Sequence, residues 1–475
     1  MAEATQLKSR HLTMMGLGSA VGAGLFLGVG LGIQISGTSV LISYAVAGAL
    51  IALVMWMLGE MAAARPSLGS FSTYAGQAFG HWARFTMGWI YWFMLIMVMG
   101  AEITGAAAII SNWFDIAPWI PALIAVAFFA VVNFAAVGGF GEFEFWFAII
   151  KVGVIVAFLA IGVLMALGIL PGMDLSLAGT NFTANFLPNG MPGFAAGLLA
   201  VAFAFGGIEL VTIAAAESED PAHNVATAVR AIIVRIMIFY IGTVIVMGFL
   251  LPYTNENLLA GELTQVAMSP FTIVLKQAGI GIAASLMNAV ILTAILSAGN
   301  SGLYASTRML YALAKDGKAS AIFSRTSKRG VPVPAMALTT VVAASCFLSS
   351  LVGDGTAYTW LVSVSSLCGF IVWLGIAVSH FQFRRAYLKQ GNSLDDLPFR
   401  ARWYPVGPVL AFALCLTITV GQGWNAVQGA DWRGILVAYV GIFAFVAVWL
   451  IHKLVTGSRR ADLTTASFDI DENLD

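Results

Sequence analysis

The chain has 475 residues, of which 60% are hydrophobic and only 10% are charged, and its mean hydropathy is +0.90. Soluble globular domains contain about 45–50% apolar and about 25% charged residues, which excludes a single water-soluble core and predicts a membrane protein. The formal net charge is zero, so nothing in the overall charge indicates a nucleic-acid partner.

Twelve apolar runs are long enough to cross a bilayer, which takes about 20 residues for each helix. Backbone groups in lipid must bond within their own segment, so these runs predict helices rather than strands. Residues 1–11 and 457–475 are polar and predict short tails. The predicted spans are 12–36, 38–62, 84–111, 118–137, 143–170, 193–216, 228–252, 280–312, 334–352, 357–383, 405–427 and 434–456.

The positions of Lys and Arg predict the orientation of these spans. If the N-terminus lies inside, every Lys and Arg falls in an inner segment except Lys276 and Arg433, which are outside, and Lys151, which lies within a span. Inner loops of membrane proteins carry this excess of positive charge. We therefore expect a multi-pass protein of the plasma membrane with both termini in the cytoplasm.

Two of the predicted spans contain glycine-rich runs about halfway along their length. The first span reads GLGSAVGAGLF over 16–26, and the sixth reads FAFGGIE over 203–209. Glycine within a helix costs about 1 kcal/mol relative to alanine, although small residues also let membrane helices pack closely. The two spans cross in opposite directions, and five spans precede the second run. This pattern predicts inverted five-helix repeats over 12–170 and 193–383, followed by two helices in 405–456.

Helices broken in this way can hold a zwitterion. Free N–H groups and the N-terminus of a half-helix attract a carboxylate, whereas free carbonyl groups attract an ammonium group. The two runs therefore favour an amino acid as the ligand between them. Phe203 and Phe205 flank the second run, where they either cover a bound substrate or pack in the core.

Lys151 is predicted near the middle of the fifth span. It lies eight residues beyond Phe143, or about 12 Å into a hydrocarbon core of about 30 Å. Burial favours the neutral amine, so Lys151 can gain and lose a proton during transport, or stand in for a sodium ion as a fixed positive charge. Its stem is too short for snorkelling to explain this depth, and no other charge neighbours it in the sequence.

Two carboxylates are also predicted at depth, where each ionisable group is expensive. Glu209 follows the second glycine run, and either bonds the free N–H groups there or takes part in gating and proton coupling. Glu102 lies in the third span, and either faces the substrate side chain or pairs with a structural donor.

Stretches along nearly the whole chain resemble amino-acid permeases of the amino acid–polyamine–organocation superfamily, in the bacterial amino acid transporter branch. The stretches that carry this resemblance are LKSRHLTM, GSAVGAGLFLG, GEMAAARPSLGSFSTYA, GEFEFWFAIIKV, FGGIELVTIAAAESEDP and SAGNSGLYASTRMLYALAKDG. LKSRHLTM, GSFSTYA, GEFEFW and IELVTIAAAES are most similar to GABA permeases. The Ala101–Glu102 pair is similar to aromatic amino-acid permeases, and ESEDP also resembles lysine and arginine permeases.

The resemblance implies an all-α membrane protein with 12 transmembrane helices, in a LeuT-like 5+5 inverted repeat plus two C-terminal helices. It also implies proton-driven amino-acid uptake in a bacterial plasma membrane, with the proton as coupling ion and no other cofactor. The first-helix motif is usually G-x-I-G-T-G-L-F, so Ala23 replaces a threonine here and the side-chain contacts of its hydroxyl are lost. The resemblance implies that Gly22, Ala23 and Gly24 hold the substrate carboxylate, that Ala20 or Val21 together with Phe203 hold the amine, and that Lys151 lies where sodium-coupled relatives hold a cation. The residues themselves add Glu102, Phe205, Gly206 and Gly207 as candidate substrate contacts, and Glu209, together with Lys151, as a candidate for proton coupling.

Other classes of function receive less support from the sequence. The five histidines form no metal-binding or catalytic pair, and no phosphate-binding G-x-x-x-x-G-K-[ST] loop occurs, so neither an enzyme nor an ATP-driven pump is favoured. A membrane sensor or channel stays open, since broken helices can also line a pore. Neutral substrates such as GABA or aromatic amino acids are preferred, and exchange or a cationic substrate is the alternative. The oligomeric state is open.

Overall fold

The computed structural model of the chain describes residues 9–18, 21–67, 69–135, 137–172, 175–215, 218, 220–255, 258, 269–345 and 354–456. Within these residues the chain is α-helical and contains no β-strand. The predicted tails lie outside the described residues, except that residues 9–11 already belong to the first helix.

The helices of the first half of the chain alternate between long apolar rods and short segments. They are α1 (Ser9–Gly18), α2 (Ala23–Phe26), α3 (Gly28–Ser36), α4 (Val40–Ala64), α5 (Ser70–Phe79), α6 (His81–Phe114), α7 (Trp119–Ala135), α8 (Val137–Ala166) and α9 (Leu175–Phe182).

The second half has the same character. Its helices are α10 (Gly190–Phe203), α11 (Leu210–Ala215), α12 (Pro221–Arg235), α13 (Gly242–Leu250), α14 (Pro270–Gln277), α15 (Gly281–Lys315), α16 (Val333–Ser345), α17 (Asp354–Lys389), α18 (Val406–Gly421), α19 (Trp424–Gln428) and α20 (Trp432–Thr456). A π-helical segment, Ile236–Ile241, connects α12 to α13. π-helical turns frequently occur at functional sites.

Helix occupies part of each of the twelve predicted spans. Seven helical segments of the described chain are long and apolar enough to cross a bilayer, and four shorter apolar helices accompany them. The short helices α5, α9 and α14 were not predicted from the sequence, because each is too short to span a membrane. The chain is thus an all-α membrane protein, as predicted.

Both predicted helix breaks are present. The first span is divided between α1, which ends at Gly18, and α2, which begins at Ala23. The sixth span is divided between α10 and α11, with residues 204–209 in turns. Within that second break Gly207 has a φ angle of +82°, a left-handed conformation that glycine adopts at little cost. The glycine runs therefore do interrupt the helices, and do not serve only for close packing.

The helices pack around α6, which contacts both α15 and α17. Helix α1 packs on α8 and α12, and α10 packs on α3 and α4. Large hydrophobic side chains are exposed on the outer helices, for example Leu454 at 84% and Val455 at 78% on α20. Such exposure is expected where lipid rather than water surrounds the protein.

Candidate functional site

The first break brings Gly22 against α6 and α15. Val21 and Gly22 are buried and non-helical. A Cβ atom at Gly22 would lie 2.5 Å from a carboxylate oxygen of Glu102 and 2.6 Å from the Cβ of Ala298, so a larger residue must displace one of them. The first N–H groups of α2 have no partner within their own helix and can bind an anionic group.

The second break opens the backbone between α10 and α11. The carbonyl oxygen of Ala204, in the first turn after α10, accepts a hydrogen bond of 2.9 Å from the Tyr240 hydroxyl. Gly206 and Gly207 follow in the turns. The break is therefore held open by a side chain from the π-helical segment, rather than by backbone pairing alone.

A small cavity lies beside Gly206, between α6, α10 and α17. Its volume is about 10 Å³, roughly what one water molecule needs. An amino acid does not fit in this volume, so this cavity could hold one only if the surrounding helices moved apart. The cavity is lined by Met94, Val98, Ala202, Gly206, Glu209, Ser365, Ser366, Gly369 and Trp373.

Glu209 is the ionisable residue that lines this cavity, and it is buried. Neither carboxylate oxygen makes a hydrogen bond of good geometry with the described residues. The backbone of Gly207 and the side chains of Tyr91 and Trp373 nevertheless lie close to it. A buried carboxylate in this setting is expensive, and it is suited to receive a proton or a cationic group of the substrate.

Of the two aromatic residues at the second break, only Phe205 has a side chain that the structure describes. Phe205 is fully buried and stacks on Tyr240, with ring centroids 4.5 Å apart, and its ring centroid is 5.8 Å from that of Tyr44. It does not line the cavity, so in this conformation it packs in the core instead of covering a ligand. Ala20 and the side chains of Ala23 and Phe203 lie outside the described residues.

Lys151 lies at the midpoint of α8 and is fully buried. Helix α8 begins at Val137, six residues before the predicted span, so Lys151 lies fourteen residues, or about 21 Å, from the helix start. Three charged side chains interact with it electrostatically: Glu144, Glu102 and Arg235. The expectation that it had no charged neighbour was wrong, because Glu144 is on its own helix.

Glu144 and its hydrogen-bond partners were missed by the sequence analysis. Glu144 is buried and accepts hydrogen bonds from Ser297 at 2.7 Å and from Asn300 at 3.2 Å, both on α15. Its spacing of seven residues from Lys151 is two helical turns and was the available signal.

Comparison with known proteins assigns this arrangement to a family. The model of the family described as "Amino acid permease" matches residues 11–464. The chain belongs to the amino acid permease family. It is therefore a transporter and not an enzyme.

The permease is similar in sequence to transporters named for different amino acids. The aromatic amino acid transport protein of Corynebacterium glutamicum is 53% identical, covering 96% of this chain and 97% of that protein. The lysine-specific permease of Escherichia coli is 44% identical, covering 96% and 94%. The gamma-aminobutyric acid permease of Bacillus subtilis is 40% identical, covering 80% of each chain.

A solved structure shares the fold of the permease. It is a Na⁺-coupled sialic acid symporter in a substrate-bound outward-open state, with a TM-score of 0.56 and 14% identity, covering 95% of this chain and 91% of that one. At this identity the likeness concerns the fold alone. It agrees with the predicted arrangement of inverted repeats around two broken helices.

Arg235 was counted from the sequence among the inner segments, but it is fully buried at the end of α12. Its guanidinium carbon lies 5.8 Å from the ring centre of Tyr240, the residue that bonds Ala204 at the second break. The π-helical segment of the permease therefore connects a buried cation to the substrate region.

A second buried ionic network joins α4 to α17. Glu60 accepts hydrogen bonds from Arg384 at 2.6 and 2.5 Å and from the backbone N–H of Ala401 at 2.5 Å. The Nε2 atom of His380 lies 3.2 Å from Glu60. Because the ion pair is bidentate and buried, each charged group replaces the water that burial takes from the other.

We expect Glu60→Gln to destabilise the permease by about 3–5 kcal/mol, because it leaves Arg384 charged and buried. The measurement is the melting temperature of the detergent-solubilised protein. The matched control is Asp395→Asn, which breaks the exposed pair between Arg400 and Asp395 and should change stability by no more than about 1 kcal/mol. Equal melting temperatures for the two variants would contradict the prediction.

Ion pairs also close the end of the bundle where α1 begins. Glu142, near the start of α8, pairs with Arg10 at 2.8 Å and with His11 at 3.0 Å. A separate ion pair joins Arg84, near the start of α6, to Asp316, which follows α15. Burial raises the pKa of Asp316, and the guanidinium of Arg84 opposes this shift. Any movement of α1 away from α8 must break the pairs with Glu142.

Proposed function

We propose that this permease carries a neutral amino acid, with aromatic amino acids as the first candidates, together with a proton into the cell. The observation that supports this most is the position of Lys151, buried halfway along α8 in electrostatic contact with Glu144 and Glu102. Glu102 in turn lies against Gly22 at the first helix break. A proton-binding group is therefore linked to the backbone that would hold the substrate.

The proposed setting is a bacterial plasma membrane, with both termini in the cytoplasm. The distribution of Lys and Arg supports this orientation. The end closed by Arg10, His11 and Glu142 is then the cytoplasmic gate. Uptake proceeds by alternating access, in which the helices that contain the two breaks rock against the rest.

Aromatic substrates are supported by the cavity and by one relative. The lining combines the apolar side chains of Met94, Val98 and Trp373 with the small residues Gly206 and Gly369, which leave room for a ring once the helices separate. The relative that is 53% identical is named for the transport of aromatic amino acids. The substrate carboxylate would bind the backbone at Gly22 to Gly24.

The direct test is uptake of labelled phenylalanine into proteoliposomes with an imposed pH gradient, acid outside. Saturable accumulation above the equilibrium level that collapses with a protonophore is the expected result. Accumulation that ignores the pH gradient would contradict proton coupling. Flux that does not saturate would indicate a channel, and binding without flux would indicate a sensor.

The sequence left Glu102 either facing the substrate side chain or pairing with a structural donor, whereas its contact with Gly22 supports a role at the carboxylate subsite. An ionised Glu102 would repel a substrate carboxylate bound there. We therefore expect Glu102→Gln to bind several amino acids more tightly by a similar factor of roughly ten or more. Competition assays with a panel of amino acids measure this. A changed ranking without a common gain in affinity would support the side-chain role.

Lysine is a second candidate substrate, because the carboxylate of Glu209 lines the cavity. A cationic side chain could pair with it, and the relative that is 44% identical is named as lysine-specific. Comparing Glu209→Gln with the unaltered protein separates the two candidates. If lysine is carried, the variant should lose lysine uptake by roughly a hundredfold while phenylalanine competes as before. If phenylalanine is carried, lysine should compete with it in neither protein.

A further inference from the structure

Glu144 is a buried carboxylate to which neither helix break nor the cavity assigns a role. It is only 1% exposed and lies seven residues from Lys151 on α8. It does not line the cavity beside Gly206. Its surroundings on α7 and α15 indicate what it does.

Two side chains on α15 donate hydrogen bonds to Glu144, and a third side chain, on α7, orients one of them. Ser297 donates to one carboxylate oxygen and Asn300 donates to the other. Asn133 on α7 donates to the side-chain oxygen of Asn300 at 2.7 Å, which orients the amide so that its N–H faces Glu144. Hydrogen bonds donated to a carboxylate favour its ionised form. These bonds and the charge of Lys151 therefore oppose the cost of burying Glu144.

The ammonium group of Lys151 interacts electrostatically with this carboxylate. Helix positions seven apart lie on nearly the same face, two turns from each other. The groups that interact electrostatically with Lys151 are Glu144, Glu102 and Arg235, and further along the same helix Glu142 is engaged by Arg10 and His11. Arg235 opposes a charge on Lys151, so the two carboxylates must offset both its repulsion and the cost of burial.

We propose that Glu144 is a positioning residue for proton coupling: it is the fixed counter-ion that holds the proton on Lys151 while the site is closed. The proposal rests on the proposed function, since it assumes that Lys151 carries the coupling proton. Glu102 touches the substrate region and can change partner when substrate binds, whereas Glu144 is fixed by α15. One carboxylate thus responds to substrate and the other sets the proton affinity of Lys151.

The expected effect of Glu144→Gln is a shift in pH dependence. Without the negative charge the proton on Lys151 is held less tightly, so half-maximal exchange moves to lower pH by about one unit or more. The measurement is exchange of labelled for unlabelled phenylalanine across proteoliposomes at equal pH on both sides. Glu144→Asp keeps the charge and should stay near the unaltered profile.

Two further variants guard against a loss of folding. Ser297→Ala removes one hydrogen bond to Glu144 but leaves its charge, and it should give a smaller shift in the same direction. Thr339→Val removes another buried hydroxyl, on α16, which donates to the carbonyl of Ala335 and accepts from the indole N–H of Trp92. This variant should not move the profile. An unmoved midpoint in both Glu144→Gln and Ser297→Ala overturns the proposal, as does an equal shift in Thr339→Val.

The unaltered protein separates this proposal from the proposed function. If it accumulates phenylalanine under a pH gradient and the Glu144 profile is unmoved, only the counter-ion role fails. If it shows no response to a pH gradient, proton coupling fails first and the counter-ion role fails with it. If Glu144→Gln is too unstable to reconstitute, Ser297→Ala decides the outcome.

Discussion

Replacing Lys151 with alanine should abolish proton-driven accumulation, with gradient-driven uptake falling by roughly a hundredfold or more. The reason is its location: the side chain is fully buried at the centre of α8 and interacts with Glu102 beside the first break. Without the amine no proton binds at this position. The assay is labelled amino-acid uptake into proteoliposomes under an imposed pH gradient.

Exchange of substrate without a gradient is the informative companion measurement. A variant that still exchanges amino acids but cannot accumulate them has lost coupling and kept its binding site. Gly153→Ala serves as a matched control on the same helix, because a Cβ atom there has no neighbour within 4 Å. If Lys151→Ala accumulates substrate as well as the control does, Lys151 is not the proton carrier.

Replacing Gly22 with valine is the second change with a large expected effect. Its first added atom would lie 2.5 Å from Glu102 and 2.6 Å from Ala298, closer than real contacts allow. The side chain would also cover the N–H groups that are proposed to hold the substrate carboxylate. We expect substrate binding to weaken by at least roughly a hundredfold, since a charge-assisted hydrogen bond contributes about 1.5–3 kcal/mol and more than one would be lost.

Gly22→Val should still insert into the membrane, because valine is apolar and the helices on either side are unchanged. Binding is measured by the thermal shift that phenylalanine produces on the purified protein, and insertion by the yield of monodisperse protein in detergent. Gly153→Ala is again the control. A variant with the original affinity would contradict a carboxylate site at this break.

These predictions assign different tasks to residues that lie near one another. Gly22 presents backbone groups, Glu102 contacts that backbone, and Lys151 connects Glu102 to Glu144 through electrostatic interaction. The cavity by Gly206 is too small for an amino acid in this structure. Opening must separate α10 from α6 and α17, which contribute most of the cavity lining.

Helix breaks and membrane spans were both predictable from the sequence, because lipid imposes strict rules on length and composition. A span needs about 20 apolar residues, and glycine runs stand out within one. The start of α8 was predicted only approximately, because the helix begins at Val137, before the apolar run that marked its span.

Contacts between distant parts of the chain were not predictable in the same way. Glu60 and Arg384 are separated by 324 residues, and neither shows in its own neighbourhood that the other will cover it. Phe205 was expected either over the substrate or in the core, and only the stack on Tyr240 decided between them. The placement of Glu144 on the same helix face as Lys151 could have been predicted, since their spacing follows from helical geometry alone.

The sequence by itself determined that this protein lies in a lipid bilayer, that it is helical, that two of its helices are interrupted and that Lys151 is buried. All of these depend on the local balance between apolar length, charge and glycine, which one segment contains within itself. The tertiary structure decided which carboxylates face Lys151, which aromatic ring packs against Tyr240 and how small the cavity is. Those properties depend on how separate helices rotate about their axes when they pack, and no single segment encodes that rotation.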